Sequence, residues 1–273
     1  MLATANAVSR LSWSQVDRYT RCPMAWWLSR RRKPEFVPSA LKFGTAIHKA
    51  TAAYYEAIRD GCHLGADELL QVYESAWAAP EQAKIRFGKG ENESGLHNMA
   101  QRMLAAFVGS VEPGEVLAVE QSLAVGITDD ILLNAVVDLL EYRDGAFIIT
   151  DWKTSRGEPS TSFSGEQLLL YCDALQEVGL IPPDSEVRLA YGVLRKLKSR
   201  GEYVTVPVEV TDKALADVRQ KVAQVAGAGV KSLDPMEVAP SLHGPAPLSY
   251  FAVMEEDLTA LEGPLACDTS NSY

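Results

Sequence analysis

The chain has 273 residues, 47% of them hydrophobic and 23% charged, with a formal net charge of −10. That is ordinary for a soluble globular enzyme, and long enough for one large domain to bury a core. No apolar run approaches the ~20 residues of a membrane span and the start, MLATANAVSRLSW, lacks a signal-peptide core, so a cytoplasmic protein with no membrane partner is expected.

Ser12-Trp13-Ser14-Gln15 reads as a capping box that opens a short helix with Trp13, Val16 and Tyr19 at helical spacing. Cys22-Pro23 ends it, and Pro23 opens a second helix through Trp26 and Trp27. These aromatics are expected in the core, with base stacking the minority alternative. A third helix is expected from Thr45 as N-cap, which puts His48 in its first turn, where a lone histidine is more often structural than a ligand. Residues 66–78 and 95–110 also read as helices, separated by PEQAKIRFGKGENESG, a polar, glycine-rich stretch expected to be a mobile loop. The first 112 residues are thus expected to be mainly helical.

From Glu115 the periodicity changes. Residues 116–125 read as a strand carrying Glu120, 164–178 as a helix, 187–194 and 203–210 as strands, and 213–226 as a helix. This order predicts an α/β fold, a mixed sheet crossed by a helix. The chain is expected to form a single domain: a helical amino-terminal part (1–112), an α/β core (113–228) and a weakly structured tail (229–273).

Between Asn134 and Thr154 lie two strands joined by Asp144-Gly145, the dipeptide of a type I′ hairpin turn. With a two-residue turn, Arg143 faces Ala146 and Asp138 falls opposite Asp151. Like charges so placed are destabilising. Lys153 projects from the same face two residues on. A divalent cation between the carboxylates would convert the repulsion into binding; the alternative is an exposed hairpin on which Lys153 screens two aspartates. Gln167 and Tyr171 share a helix face, either for a functional role or, for Gln167, to complete a capping box with Ser164.

The net charge argues against a nucleic-acid partner, but its distribution does not. Residues 1–60 hold ten Lys/Arg against four Asp/Glu, a balance of +6, which leaves −16 for the remainder. The local peak, Arg30-Arg31-Arg32-Lys33, is a candidate polyanion contact or a solvated helix end. Cys22, Cys62, Cys172 and Cys267 have no C-x-x-C spacing, so neither a zinc ribbon nor a disulfide framework is indicated.

Together these features resemble the RecB-like branch of the PD-(D/E)XK nuclease superfamily, which includes the CRISPR-associated exonucleases. The resemblance rests on LSWSQVDRYTRCPMAWWL, Gly44-x-x-x-His48, Asp138, Asp151-Trp152-Lys153 and Gln167-x-x-x-Tyr171, in that order from Leu11 to about Leu194. It implies a restriction-endonuclease-like mixed sheet flanked by helices. His48, Asp138, Asp151 and the Trp152 backbone carbonyl would hold Mg²⁺ or Mn²⁺. Lys153 would position or activate the attacking water, Gln167 and Tyr171 would contact the substrate strand, and Glu120 would take an outer-shell place. Two features depart from the branch. Ala135 stands where a glycine is usual, and only Cys267 lies near the carboxyl end to join Cys22, so an iron–sulfur cluster, which needs four thiolates, is not expected.

The resemblance implies a metal-dependent DNA nuclease, an exonuclease on DNA ends or single strands, with repair, recombination, phage or CRISPR-related DNA processing as its setting. Two other readings remain: a catalytically inactive DNA-binding or assembly subunit that retains the fold, and an acidic interaction scaffold.

Overall fold

The structure, a computed structural model, describes residues 9–31, 35–80, 84–128, 131–157, 163–209 and 211–229. Fifteen elements follow in chain order: β1 (Ser9–Ser12), α1 (Trp13–Arg21), α2 (Pro23–Arg31), β2 (Phe36–Pro38), α3 (Ser39–Arg59), α4 (Ala66–Ala78), β3 (Lys84–Arg86), α5 (Glu93–Val108), β4 (Glu115–Thr128), β5 (Ile131–Arg143), β6 (Ala146–Ser155), α6 (Glu166–Glu177), β7 (Val187–Arg195), β8 (Tyr203–Val208) and α7 (Asp212–Gly229). The fold is mixed α/β, as the periodicity predicts. The chain divides into two units, one of residues 34–123 and 135–215, the other drawn from 1–33, 124–134 and 216–272.

In the larger unit β5, β6, β7 and β8 lie side by side in that order, and β4 pairs with β5. The hairpin register is the one the turn dictates: Arg143 faces Ala146, and the antiparallel ladder runs to Leu139 and Thr150. Asp144 and Gly145 both have positive φ, 52° and 78°, as a type I′ turn requires. β6 and β7 are parallel over nine pairs, from Phe147–Val187 to Ser155–Arg195, so α6 is the crossover between them. β7 is buried from Leu189 to Leu194 without alternation, the pattern of a strand covered on both faces.

One layer over this sheet is helical. Phe43, Ile47, Ala50 and Tyr54 of α3 pack with Leu69, Tyr73 and Trp77 of α4 and with Leu96, Met103, Leu104 and Phe107 of α5. The spacings of three, four and seven residues are those of one buried helix face. The Trp152 side chain, fully buried, joins this layer and stacks on Tyr55 with centroids 5.7 Å apart.

The smaller unit pairs β1 in parallel with residues 131–134 of β5, and Leu11, Ile131 and Ala226 form an apolar cluster. The Ser12 backbone N–H donates to the Gln15 side chain at 3.1 Å, the Gln15 half of the expected capping box. Tyr19 and Trp26 are buried in an edge-to-face pair 5.2 Å apart, so they are core residues. Cys22 is buried too.

Two expectations are corrected. Helix α3 begins at Ser39, after Pro38, rather than at Thr45. The Thr45 hydroxyl instead donates back to the Leu41 carbonyl at 3.1 Å inside the helix, which puts His48 in the third turn. The stretch expected to be a loop contains β3, which pairs in parallel with β2, because Ile85 packs on the helical core; three residues are too few to show a period. Arg32, Lys33 and the tail with Cys267 lie outside the described residues, as do the side chains of Arg30 and Arg31. Among the described residues no helix is long and apolar enough to cross a membrane.

Lys196 is buried with its ammonium 4.9 Å from the centre of the Phe43 ring. Burial, with the nearby Arg156 charge, pushes it down to about 8 from its ordinary 10.5. Between those two pH values the unfolded chain holds a proton that the folded chain has released, so folding stability rises with pH across that window. A shift of this size corresponds to roughly 3 kcal/mol. Lys196→Met should therefore be more stable than wild type at pH 7 in urea denaturation, and the gap should close by about that amount by pH 10.5.

Candidate active site

Within the larger unit the hairpin delivers the two aspartates of the site, α3 its histidine and β4 its glutamate. Asp138 is the first residue of β5 beyond the end of the β5–β6 ladder. Its Oδ2 accepts the Trp152 backbone N–H at 2.8 Å, and the carboxylate is 7% exposed. Asp151, on the facing strand, is 2% exposed. These values rule out the exposed-hairpin alternative.

His48 comes in from α3. Its Nδ1 is 3.5 Å from Asp138 Oδ2, its ring also hydrogen-bonds the Trp152 backbone carbonyl, and it meets the Trp152 indole edge-on at 6.1 Å. Burial lowers the His48 pKa, outweighing the upward pull of Asp151, so the imidazole is neutral at neutral pH and keeps a lone pair to donate. The two backbone groups of Trp152 thus lie at the site while its side chain anchors the core.

Glu120 reaches the same place from β4. His48, Glu120 and Asp138 each offer a donor atom, and these atoms lie within 4.8 Å of one another. The backbone explains the approach. Glu120 has φ 49°, a left-handed conformation within a strand. Ala118 and Val119 just before it are both buried, so the alternation of β4 is broken here, and Leu123 and Val125 are buried beyond it. A left-handed residue within a strand re-aims its side chain at a local cost of order 1–3 kcal/mol. Lys49, a residue the sequence did not single out, holds the Glu120 carboxylate at 3.7 Å.

Asp151 is occupied differently. Its Oδ2 faces the Lys153 ammonium at 2.7 Å as an ionic contact. Lys153 also donates to the Gln167 carbonyl oxygen at 3.0 Å, and the Gln167 amide donates to the Tyr171 hydroxyl at 2.7 Å. Asp151, Lys153, Gln167 and Tyr171 therefore form one chain of polar contacts from β6 to α6. The capping-box alternative for Gln167 fails: the N-cap is Gly165, and Ser164 turns to Glu166 instead. Burial, reinforced by the Asp151 charge, raises the Tyr171 phenol well beyond its ordinary range, so it is a neutral hydroxyl.

Tyr191, also unforeseen, is Asp151's partner in the β6–β7 register. Its ring lies 5.8 Å below the Lys153 ammonium and 4.7 Å from the Phe163 ring, and its hydroxyl meets the Gly165 backbone N–H. Gly165 has φ 74°, and a Cβ there would fall 2.5 Å from Val208 Cγ1, so only glycine lets α6 start this close to the sheet.

The family model of the PD-(D/E)XK nuclease superfamily matches residues 10–242. The chain belongs to the PD-(D/E)XK nuclease superfamily. The Gene 69 protein of Mycobacterium phage L5 is 32% identical over 79 residues, which is 29% of this chain; the matched stretch spans only 27% of that relative's length. A provisionally assigned exonuclease of Eubacterium rectale is similar in structure with a TM-score of 0.48 and 13% identity, covering 81% of this chain and 79% of that one. Nucleases of this superfamily use divalent metal ions, and the donor set here fits one. Two carboxylates and a neutral imidazole, largely withdrawn from water, are a hard, anionic site for a cation that accepts oxygen and nitrogen donors.

Two measurements follow. Burial, and then the Asp151 charge, raise the Asp138 carboxyl well above the ordinary carboxylate range, so it holds a proton nearer neutrality. A cation must displace that proton. Affinity for Mn²⁺ should therefore strengthen as pH rises through the raised pKa and weaken as it falls. Calorimetry in buffers of different ionisation enthalpy should show proton release on Mn²⁺ binding near pH 6, and Asp138→Asn should remove it. Glu120→Gly should separate binding from stability. Relief of the left-handed backbone should raise stability by up to about 1 kcal/mol in urea denaturation while Mn²⁺ affinity falls about tenfold or more. A loss of both would show that Glu120 is there for the fold.

Proposed function

We propose that the protein is a divalent-metal-dependent deoxyribonuclease that hydrolyses phosphodiester bonds at the Asp138–Asp151–Lys153 site. The observation that carries this reading is a buried pair of facing carboxylates with an ammonium 2.7 Å from one and an imidazole 3.5 Å from the other. In this reading His48, Asp138 and Asp151, with the Trp152 carbonyl, hold Mg²⁺ or Mn²⁺, and Glu120 joins them from β4. The ion supplies Lewis acidity toward the scissile phosphate and a water of lowered pKa.

The chain's own residues do the rest. Trp152 N–H and His48 both meet Asp138 Oδ2 and so orient its carboxylate. Lys153 carries a fixed positive charge beside Asp151, where it can orient the attacking water and stabilise charge on the phosphate oxygens. Gln167 holds the Lys153 ammonium, and the neutral Tyr171 hydroxyl can donate to a phosphate oxygen of the substrate strand. The Tyr191 ring supports the same ammonium from below.

Exonucleolytic action on DNA ends or single strands is the finer part of the proposal and rests on the resemblance of the motifs. An inactive DNA-binding relic of the fold is the weaker reading, since a strained Glu120 and a buried Asp151 are costs that a non-catalytic scaffold gains nothing by keeping.

Linear and covalently closed circular DNA, in single- and double-stranded forms, should be incubated with Mg²⁺ or Mn²⁺. Wild type should degrade the linear forms, and Asp151→Asn and Lys153→Ala should each slow cleavage at least ~100-fold with unchanged urea midpoints. Equal rates in all three proteins would sink the assignment, and rapid cutting of the circles would replace exonuclease by endonuclease action.

A further inference from the structure

The short ribbon of β2 and β3 has two faces of different chemistry. The register sets Phe36 opposite Lys84, Val37 opposite Ile85 and Pro38 opposite Arg86. Side chains alternate along each strand, so Val37 and Ile85 point one way, and Ile85 packs on the helical core. Phe36, Pro38, Lys84 and Arg86 then share the outer face. There the Arg86 guanidinium lies over the Phe36 ring at 4.6 Å. Phe87, 36% exposed, and Lys89 follow directly.

Lys84, Arg86 and Lys89 are exposed, and among the described residues none of them pairs with a carboxylate. One nearby acid, Glu91, is committed elsewhere. Glu91 accepts the Ser39 hydroxyl at 2.7 Å and the Gly88 N–H at 3.0 Å, and pairs with Arg156. In a protein of net charge −10, three uncompensated cations beside a ring that already stacks a guanidinium suit a polyanion with exposed π-faces.

The ribbon is also tied to the active site. β2 runs straight into α3, on which His48 comes nine residues after Ser39, about 14 Å at 1.5 Å per residue. Glu91 clamps the turn after β3 to Arg156, three residues beyond Lys153 on the chain, about 10 Å at strand spacing. A stacked strand rising ~3.4 Å per nucleotide covers that distance in three or four nucleotides.

We propose that the outer face of the β2–β3 ribbon, through Phe36, Lys84, Arg86 and Lys89, is an accessory binding surface for single-stranded DNA that holds the strand a few nucleotides from the cleavage site. The proposal rests on the nuclease reading of that site. The cations engage phosphates, and Phe36 offers its face to a base.

The test uses the full chain with Lys84, Arg86 and Lys89 all changed to Gln, and separately Phe36→Ala, each checked by circular-dichroism melting. Binding of a fluorescein-labelled 20-nucleotide dT strand is followed by anisotropy in EDTA at several salt concentrations, independently of cleavage. The triple variant should bind at least tenfold more weakly, with the slope of log K against log salt shallower by about 2, since each phosphate contact on a single strand contributes about 0.7. Phe36→Ala should weaken single-strand binding several-fold and leave a 20-base-pair duplex unaffected. In cleavage, the triple variant should raise KM for the 20-mer and keep kcat, with a trinucleotide cut at the wild-type rate. Unchanged affinity and salt slope in the triple variant overturns the proposal. An equal effect of Phe36→Ala on single strand and duplex overturns the stacking role. Absence of cleavage by wild type would remove the nuclease reading, while the anisotropy series would still decide whether the ribbon binds DNA.

Discussion

Everything at the site follows from burying Asp138 and Asp151 on facing strands. Two carboxylates in a medium of low dielectric repel strongly and lose their hydration, and a buried charge without a partner is among the most expensive features a fold can carry. The structure resolves this unequally. Asp151 has a full counter-charge in Lys153, whereas Asp138 has a backbone N–H and a neutral imidazole. The deficit of positive charge lies on the Asp138 side, and that is the side to which Glu120 is also brought. Glu120 arrives with a partial counter-charge, Lys49 at 3.7 Å, so the group as a whole keeps an excess of negative charge that a cation would offset.

The cost of that arrangement is met one residue away. Trp152 lies between Asp151 and Lys153 in sequence but points to the opposite face, into the aromatic layer with Tyr55. Burying a side chain of this size removes roughly 150–250 Å² from water, worth about 4–6 kcal/mol. Strand alternation thus couples the least stable residues of the sheet to one of its strongest anchors, with its peptide group tying Asp138 and His48 together. On the other side of the site the same coupling is made by Tyr191 and Gly165, which fix where α6 begins and so where Gln167 meets Lys153.

Much of this was legible in the sequence because it depends on short-range rules. Asp144-Gly145 sets the turn, the turn sets the register, and the register sets Asp138 against Asp151; each step needs only the neighbouring residues. What the sequence hid depends on packing between distant segments. The Thr45 side chain suits an N-cap, but Pro38 takes that place seven residues earlier, so His48 reaches the site from a third turn. A left-handed glutamate has no local signature, which is why only the family resemblance pointed to Glu120, and then to an outer-shell place. Nor does a tyrosine in a continuous apolar run, and Tyr191 can be told from core filler only once β7 is seen beside β6.

The charge distribution makes sense on the same terms. A net charge of −10 repels a polyanion from most of the surface, and salt screens that repulsion over about 10 Å, close to the spacing between Lys153 and Arg156 along the chain. Within that distance local charges, and not the net charge, decide what approaches. In the proposed reading the exposed cations of the ribbon and the Lys153 ammonium give a strand local places to bind on a chain that is acidic overall. Productive register is then favoured because most other positions are repelled, which gives selectivity for placement without reading any base.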